Sequence, residues 1–258
     1  MWQYKNMKVL ITGASSGIGR ELVKQLAPEF DQMVLVGRDQ TRLSALQQEI
    51  NQTNPTVKIT TVSLDLSVAA NCQQLFTRHP DVDLLVNNAG FGDSGVFTET
   101  ALDKDLAMIQ TNVVALHILT KLYLVEMQKR NSGQILNVGS IAGFMPGPLM
   151  STYYATKNYV VRLSEGVREE LRRAKSKVKI SVLCPGPVAT NFAQTANVKF
   201  NFKGADCAKV VRYAVKHRHK FYIIPSFKIR LARLGMALLP SSWVARIVYK
   251  IQAKRQKG

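Results

Sequence analysis

Short apolar runs alternate along the chain with longer stretches whose apolar positions recur every three or four residues. The runs lie near 7–12, 32–37, 57–64, 82–88, 133–139, 178–184 and 220–224. Several, such as Ile180 to Leu183, are apolar and β-branched, which fits strands buried on both faces of a parallel sheet. Helical spacing predicts segments near 17–27, 102–128 and 151–174, and strands alternating with helices imply a doubly wound α/β sheet of about seven strands. At 258 residues the chain suffices for one well-buried domain and is short for two. No internal repeat beyond the βα alternation and no low-complexity linker interrupts it.

The first strand, Met7 to Ile11, runs directly into Thr12-Gly13-Ala14-Ser15-Ser16-Gly17-Ile18-Gly19, and a helix follows. Glycines at a strand-to-helix turn let a pyrophosphate approach the backbone. The helix N-terminus adds free N–H groups and partial positive charge. Gly13, Ser15, Ser16, Gly17, Ile18 and Gly19 are therefore candidate cofactor residues. The next strand ends in Gly37-Arg38, where a dinucleotide fold reads the adenosine ribose. An acid there suits the 2′-hydroxyl of NAD, whereas Arg38 suits a 2′-phosphate, so NADP (NADPH) is the expected cofactor. Asp39 complicates this, because a neighbouring carboxylate can neutralise Arg38.

Lys157 follows Tyr153 by four positions, and Ser140 lies thirteen upstream in a Gly-containing stretch. Residues i and i+4 share a helix face, so a phenol sits beside a fixed ammonium. A neighbouring cation favours phenolate and is expected to lower the tyrosine pKa toward the working range. Ser140 can hydrogen-bond the substrate oxygen. Tyr154 and Tyr159 lack a lysine at i+4, so the acid/base role falls to Tyr153 and a packing role to Tyr154.

With these pieces in register, the chain resembles the short-chain dehydrogenase/reductase family. The likeness rests on Thr12–Gly19, Asp65, Asn87-Asn88-Ala89-Gly90, Asn112, Ser140, Tyr153-x-x-x-Lys157 and Pro185-Gly186-Pro187-Val188-Ala189-Thr190, covering residues 7 to 190. It implies a Rossmann-like fold and hydride exchange between a nicotinamide and a carbonyl or secondary alcohol. Asp65, with Leu66 beside it, would contact the adenine, and Asn88, Ala89 and Gly90 would pack beside the adenosine. Asn112 would bend its helix and hold a water linking Lys157 to solvent. Lys157 would also bind the nicotinamide ribose. Pro185, Gly186, Val188 and Thr190 would border the nicotinamide, with Val188 and Thr190 at its carboxamide. The family commonly dimerises or tetramerises through the helices near 102–128 and 151–174, so a homodimer or homotetramer is expected. On this division residues 7–190 form the cofactor-binding and catalytic core. Residues 191–225 then supply the substrate loop, a helix and the last strand, and 226–258 the C-terminal helices of one domain, 1–258.

Net charge is +18 and uneven. After Asp206 there is no acidic residue, while thirteen Lys and Arg occur. Apolar positions recur among these cations: Ile229, Leu231, Leu234, Leu238 and Leu239, then Trp243, Val244, Ile247, Val248 and Ile251. No stretch in this tail approaches the ~20 apolar residues that span a bilayer. A basic amphipathic tail fits peripheral contact with an anionic membrane, and the competing reading is a pair of helices lidding the pocket. Nucleic acid is not an expected partner, since the apolar stripe has no use there. Cys72, Cys184 and Cys207 lack metal or disulfide spacing, and His217 and His219 sit among cations, so no metal is expected. No secretory segment is read ahead of the first strand, although Asn51-Gln52-Thr53 matches a glycosylation acceptor. A cytoplasmic protein, peripheral at most, is expected.

Specificity should reside in Phe144 to Met150 and Asn191 to Lys203, both poor in carboxylates and rich in apolar groups, which suits a lipophilic ketone or acyl chain. An alternative is a catalytically silent NADP-binding regulatory protein of the same fold. The presence of Asn112, Ser140, Tyr153 and Lys157 together argues against it. The G-x-x-x-G-x-G turn and the length argue against an extended-family epimerase or dehydratase.

Overall fold

A computed structural model of the chain describes residues 7–196 and 204–257. Seven parallel strands form one sheet in the order β3-β2-β1-β4-β5-β6-β7. They are β1 (Lys8–Thr12), β2 (Gln32–Gly37), β3 (Lys58–Ser63), β4 (Leu84–Asn87), β5 (Gln134–Val138), β6 (Lys179–Leu183) and β7 (Tyr222–Ile223). All seven expected strands are present. β7 is the shortest, at two residues. The helices are α1 (Gly17–Leu26), α2 (Gln40–Thr53), α3 (Ala69–Arg78), α4 (Leu102–Ile109), α5 (Leu116–Lys129), α6 (Ser151–Arg173), α7 (Phe192–Thr195), α8 (Cys207–Lys216), α9 (Phe227–Ala237) and α10 (Ser241–Lys257).

Successive strand residues point to opposite faces, and both faces are covered. Leu10, Val34, Leu85, Ile135 and Val182 meet α3, α5 and α6 through Leu75, Leu119, Tyr123 and Val160. Val9, Ile11, Leu35, Val86 and Leu136 meet α1, α2 and α8 through Leu22, Leu46 and Val211. This explains why the central strands read as unbroken apolar runs, while edge strand β3 alternates exposed and partly buried positions. Burying each large aliphatic side chain contributes about 1.5–3 kcal/mol, so the two-sided core dominates the fold's stability. A buried polar chain also crosses one layer. Asn87 donates to Thr120 and Asn137, and Asn137 donates to Ser164, each at 3.0 Å. It ties β4 and β5 to α5 and α6.

β1 pairs with both β2 and β4, so the strand order reverses there. The loops leaving β1 and β4 diverge and open a crevice at the carboxyl edge of the sheet.

The expected helix over 102–128 is α4 and α5 joined by a π-helical segment, Gln110–Ala115, that contains Asn112. By composition alone Leu102–Lys129 is long and apolar enough to cross a membrane. Its Leu116, Leu119, Tyr123 and Met127 instead pack in the core. Leu102, Leu106, Ile109 and Val125 stay exposed.

Candidate active site

The turn after β1 is built by close backbone approach. Gly13 adopts φ +63°, and a Cβ there would lie 2.8 Å from Asn88 Nδ2. Asn88 donates to the carbonyls of Thr12 and Gly13 at 2.9 and 3.1 Å. The Thr12 hydroxyl accepts the N–H groups of Asn88 and Ala89 at 2.9 and 3.0 Å. The ends of β1 and β4 are thus clamped into one wall. Ser16, the N-cap of α1, makes no side-chain cap, which leaves the helix start facing the crevice. A narrow, Cβ-free cradle beside a helix N-terminus fits a pyrophosphate.

The crevice encloses about 330 Å³. Gly13, Ser15, Ser16, Gly17 and Ile18 line one end, with Arg38, Asp65 and Leu66 beyond them. Asn88, Ala89 and Gly90 line it as well, with Pro185, Gly186, Val188 and Thr190, the last of which sits against Gly17. Ser140, Tyr153 and Lys157 also face it. Of the residues singled out in the sequence, Gly19 and Asn112 lie just behind the lining. Gly19 supports the turn, where a Cβ would overlap the Gly13 carbonyl oxygen.

Asp39 does not neutralise Arg38. Its carboxylate caps α2 through the Arg42 N–H at 3.0 Å and pairs with the Arg42 guanidinium at 3.1 Å. Arg38 is exposed at the crevice end. The Asp65 carboxyl is held below the usual range, chiefly by the Ser67 N–H at 2.9 Å, with a smaller contribution from Arg38.

Tyr153 and Lys157 lie one turn apart on α6, as the spacing requires. Lys157 Nζ donates to the Val138 carbonyl at 2.8 Å and lies 5.9 Å from the Tyr153 ring centre. One expectation is corrected here. The phenol is not brought down: burial pushes the Tyr153 pKa up, and the hydrogen bond with Ser140 only partly opposes this. Burial also brings Lys157 down, to about 8, because a desolvated ammonium is disfavoured. Asn112, in turn, is a clamp on neighbouring groups. Its Oδ1 accepts the Phe91 N–H at 3.0 Å, and its Nδ2 donates to the Phe91 carbonyl at 2.8 Å and to Thr156 Oγ1 at 3.1 Å. It thereby fixes the loop after β4 against α6, and it does so from within the π-helical segment.

Three further groups shape the site. Phe192 of α7 packs on the Tyr153 ring at 5.2 Å between centres. Asn158 donates to the carbonyls of Ala142, Met145 and Tyr154 at 2.9 to 3.1 Å, pinning the loop after Ser140. Gln252 of α10, 2 % exposed, donates to the Tyr154 hydroxyl at 2.6 Å. Tyr154 therefore does more than pack, and both it and Gln252 line the crevice. Phe192 lay inside the expected specificity segment. Gln252 had no sequence signal beyond its i+4 and i+8 register with Val248 and Val244. Residues 197–203 of that segment lie outside the described residues.

The family model described as short chain dehydrogenase matches residues 7–200. An uncharacterized oxidoreductase of Staphylococcus saprophyticus is 33% identical over 186 residues, covering 72% of this chain and 76% of the relative. The very-long-chain 3-oxoacyl-CoA reductase of Mycosarcoma maydis is 32% identical over 191 residues, covering 72% of this chain and 54% of that protein. A short-chain dehydrogenase from Sphingobium yanoikuyae, solved in complex with NADPH, superimposes with a TM-score of 0.80 at 29% identity, covering 91% of this chain and 96% of that one. Solved relatives hold NADP or NADPH in some cases and NAD in another. The glycine turn, the seven-stranded parallel sheet and the Ser140, Tyr153 and Lys157 cluster agree with these matches: the chain belongs to the short-chain dehydrogenase/reductase family of oxidoreductases.

Proposed function

We propose that the chain is an NADPH-dependent carbonyl reductase acting on a lipophilic ketone or acyl substrate. The observation that carries this reading is the convergence of Ser140, Tyr153 and Lys157 on a crevice that also contains the glycine turn. Gly13, Ser15, Ser16, Gly17 and Ile18 would hold the pyrophosphate, Arg38 the 2′-phosphate, and Asp65 with Leu66 the adenine. Asn88, Ala89 and Gly90 would bed the adenosine, and Pro185, Gly186, Val188 and Thr190 the nicotinamide end. The bound nicotinamide supplies the hydride. Ser140 orients the carbonyl oxygen, and Tyr153 protonates it. The buried phenol is in its protonated form at neutral pH, the form that a general acid for reduction requires. Lys157 sustains the positive field beside it. The apolar wall of Met150, Ile141 and Phe192 supports a lipophilic substrate, and the acyl-reducing relative points the same way. The exposed Leu102, Leu106, Ile109 and Val125 supply an apolar face for a homodimer or homotetramer.

NADPH consumption against ketones, acyl thioesters and quinones tests the reading. Tight NADPH binding with no turnover on any class would favour the silent binding protein instead. For Arg38→Ala, kcat/KM with NADPH is expected to fall about 10- to 100-fold, as loss of a charge-assisted bond implies, with NADH little changed. A wild-type preference for NADH would refute the cofactor assignment.

The pH profile is a separate check. Lys157 is cationic below about pH 8 and neutral above it. The Tyr153 phenol stays protonated throughout, so kcat/KM for reduction should decline as pH rises through about 8. Lys157→Arg should push that limb upward, whereas a profile flat to about pH 9.5 would remove Lys157 from the proton economy.

A further inference from the structure

The tail inverts the usual order of a solvated helix pair. Phe227, Leu231 and Leu234, continued by Leu238 at the C-cap, follow one another at spacings of four, three and four, which places them on a single stripe of α9 and its end. They are 72%, 56%, 63% and 87% exposed. The arginines of α9 turn the other way. Arg230 Nε donates to the Ile224 carbonyl at 2.8 Å, and Arg233 stacks on Phe144 and Tyr222 at 4.3 and 4.1 Å. The outward face of this helix is therefore the apolar one.

α10 repeats the theme in three parallel stripes at four-residue spacing. Val244, Val248 and Gln252 are buried. Trp243, Ile247 and Ile251 lie beside them and stay exposed. Arg246, Lys250 and Lys254, also exposed, run along the far side of that apolar stripe. An apolar stripe flanked by cations, with tryptophan at its edge, is the pattern of a helix lying in a membrane interface.

We propose that α9 and the outer stripe of α10 rest on an anionic lipid membrane. The apolar side chains would enter the acyl boundary, and Arg246, Lys250 and Lys254 would meet headgroups. Charge decides between this and a second copy of the chain. Arg246, Lys250 and Lys254 border this face, and the segment after Asp206 holds no anion to answer them, so two copies joined through it would set like charges together. An anionic bilayer is complementary, since each Lys or Arg held near its surface is attracted to it. The inner faces of the same helices touch the crevice. Ile229 packs against Gly186, and Gln252 bonds to Tyr154. A membrane-seated tail would hold the crevice wall at the bilayer surface.

The test is sedimentation of the full chain with phosphatidylcholine vesicles, with and without phosphatidylglycerol. Binding is expected with the anionic vesicles, about 10-fold or more weaker without phosphatidylglycerol, and weakened by salt. Leu231→Ser/Leu234→Ser should lower affinity for the anionic vesicles on the order of 100-fold. Unchanged circular dichroism and NADPH binding would show that the variant is folded. Absence of wild-type pelleting at low salt, or equal pelleting of the variant, overturns the proposal. A lipid-free dimer that dissociates in the variant would assign the stripe to a second copy and overturn it as well. None of these outcomes depends on turnover, so they stand apart from the reductase reading.

Discussion

Tyr153→Phe is expected to lower kcat for carbonyl reduction by about 10²- to 10⁴-fold while NADPH affinity stays within about twofold, since general acid catalysis by a positioned side chain contributes on that scale. The substitution removes one oxygen and keeps the ring. The ring contacts, Phe192 at 5.2 Å and Tyr154 at 6.1 Å between centres, survive it. Helix α6 is held by its core residues Val160, Val161 and Leu171, which the change does not touch. The hydroxyl lost is the one bonded to Ser140, and no other phenol can replace it. The Tyr154 hydroxyl is occupied by Gln252, and Tyr159 is bonded to His117 at 2.6 Å. Single-turnover mixing of the NADPH complex with substrate reads the chemical step directly. A rate above about one tenth of wild type would show that another group delivers the proton. Ser140→Ala provides the companion measurement. It should reduce kcat less than Tyr153→Phe, because the hydroxyl orients the carbonyl without giving up the proton.

Much of this geometry was legible in the sequence, because the signals were local. A glycine turn between an apolar run and a helix has few physical realisations, and on the helix that the periodicity predicts, Tyr and Lys four apart are neighbours on one face. The unbroken apolar runs fixed a sheet covered on both sides, which the two core layers bear out. What escaped was non-local. The protonation balance at Tyr153 depends on how deeply α6 is buried and on where Lys157 Nζ points, and the Val138 carbonyl that holds it lies on β5. Asp39 was ambiguous because its choice between Arg38 and Arg42 is made by the first turn of α2. Gln252 reaches Tyr154 across 98 positions, a contact that no spacing rule encodes. In the tail the periodicity identified amphipathic helices but not which face turns inward. The structure turns Arg230 and Arg233 in and four large apolar side chains of α9 and its C-cap out.

Gly19→Ala tests the cofactor end as sharply as Tyr153→Phe tests the chemistry. Gly19 has an ordinary helical backbone, so the effect is one of space. A methyl group there would overlap the Gly13 carbonyl oxygen and lie 2.5 Å from Asn88 Nδ2. Neither neighbour can yield cheaply, since the Gly13 carbonyl is backbone and Asn88 is tied to the Thr12 and Gly13 carbonyls. Helix α1 must therefore back away from the turn, at a cost of about 1–3 kcal/mol or more for an overpacked site. Displacing the turn also moves the N–H groups that would hold a pyrophosphate, so NADPH affinity should fall by about 10-fold or more beyond the loss of stability. Urea unfolding with and without NADPH separates the two effects. The apo midpoint reports the clash, and the shrunken NADPH-induced shift reports the damaged cradle. Gly166→Ala is the control. It lies in α6 with nothing within 4 Å of an added Cβ, and should stabilise the protein by up to about 1 kcal/mol through helix propensity. Equal behaviour of the two alanines would mean that the close approach of α1 to the turn does not hold the cofactor site.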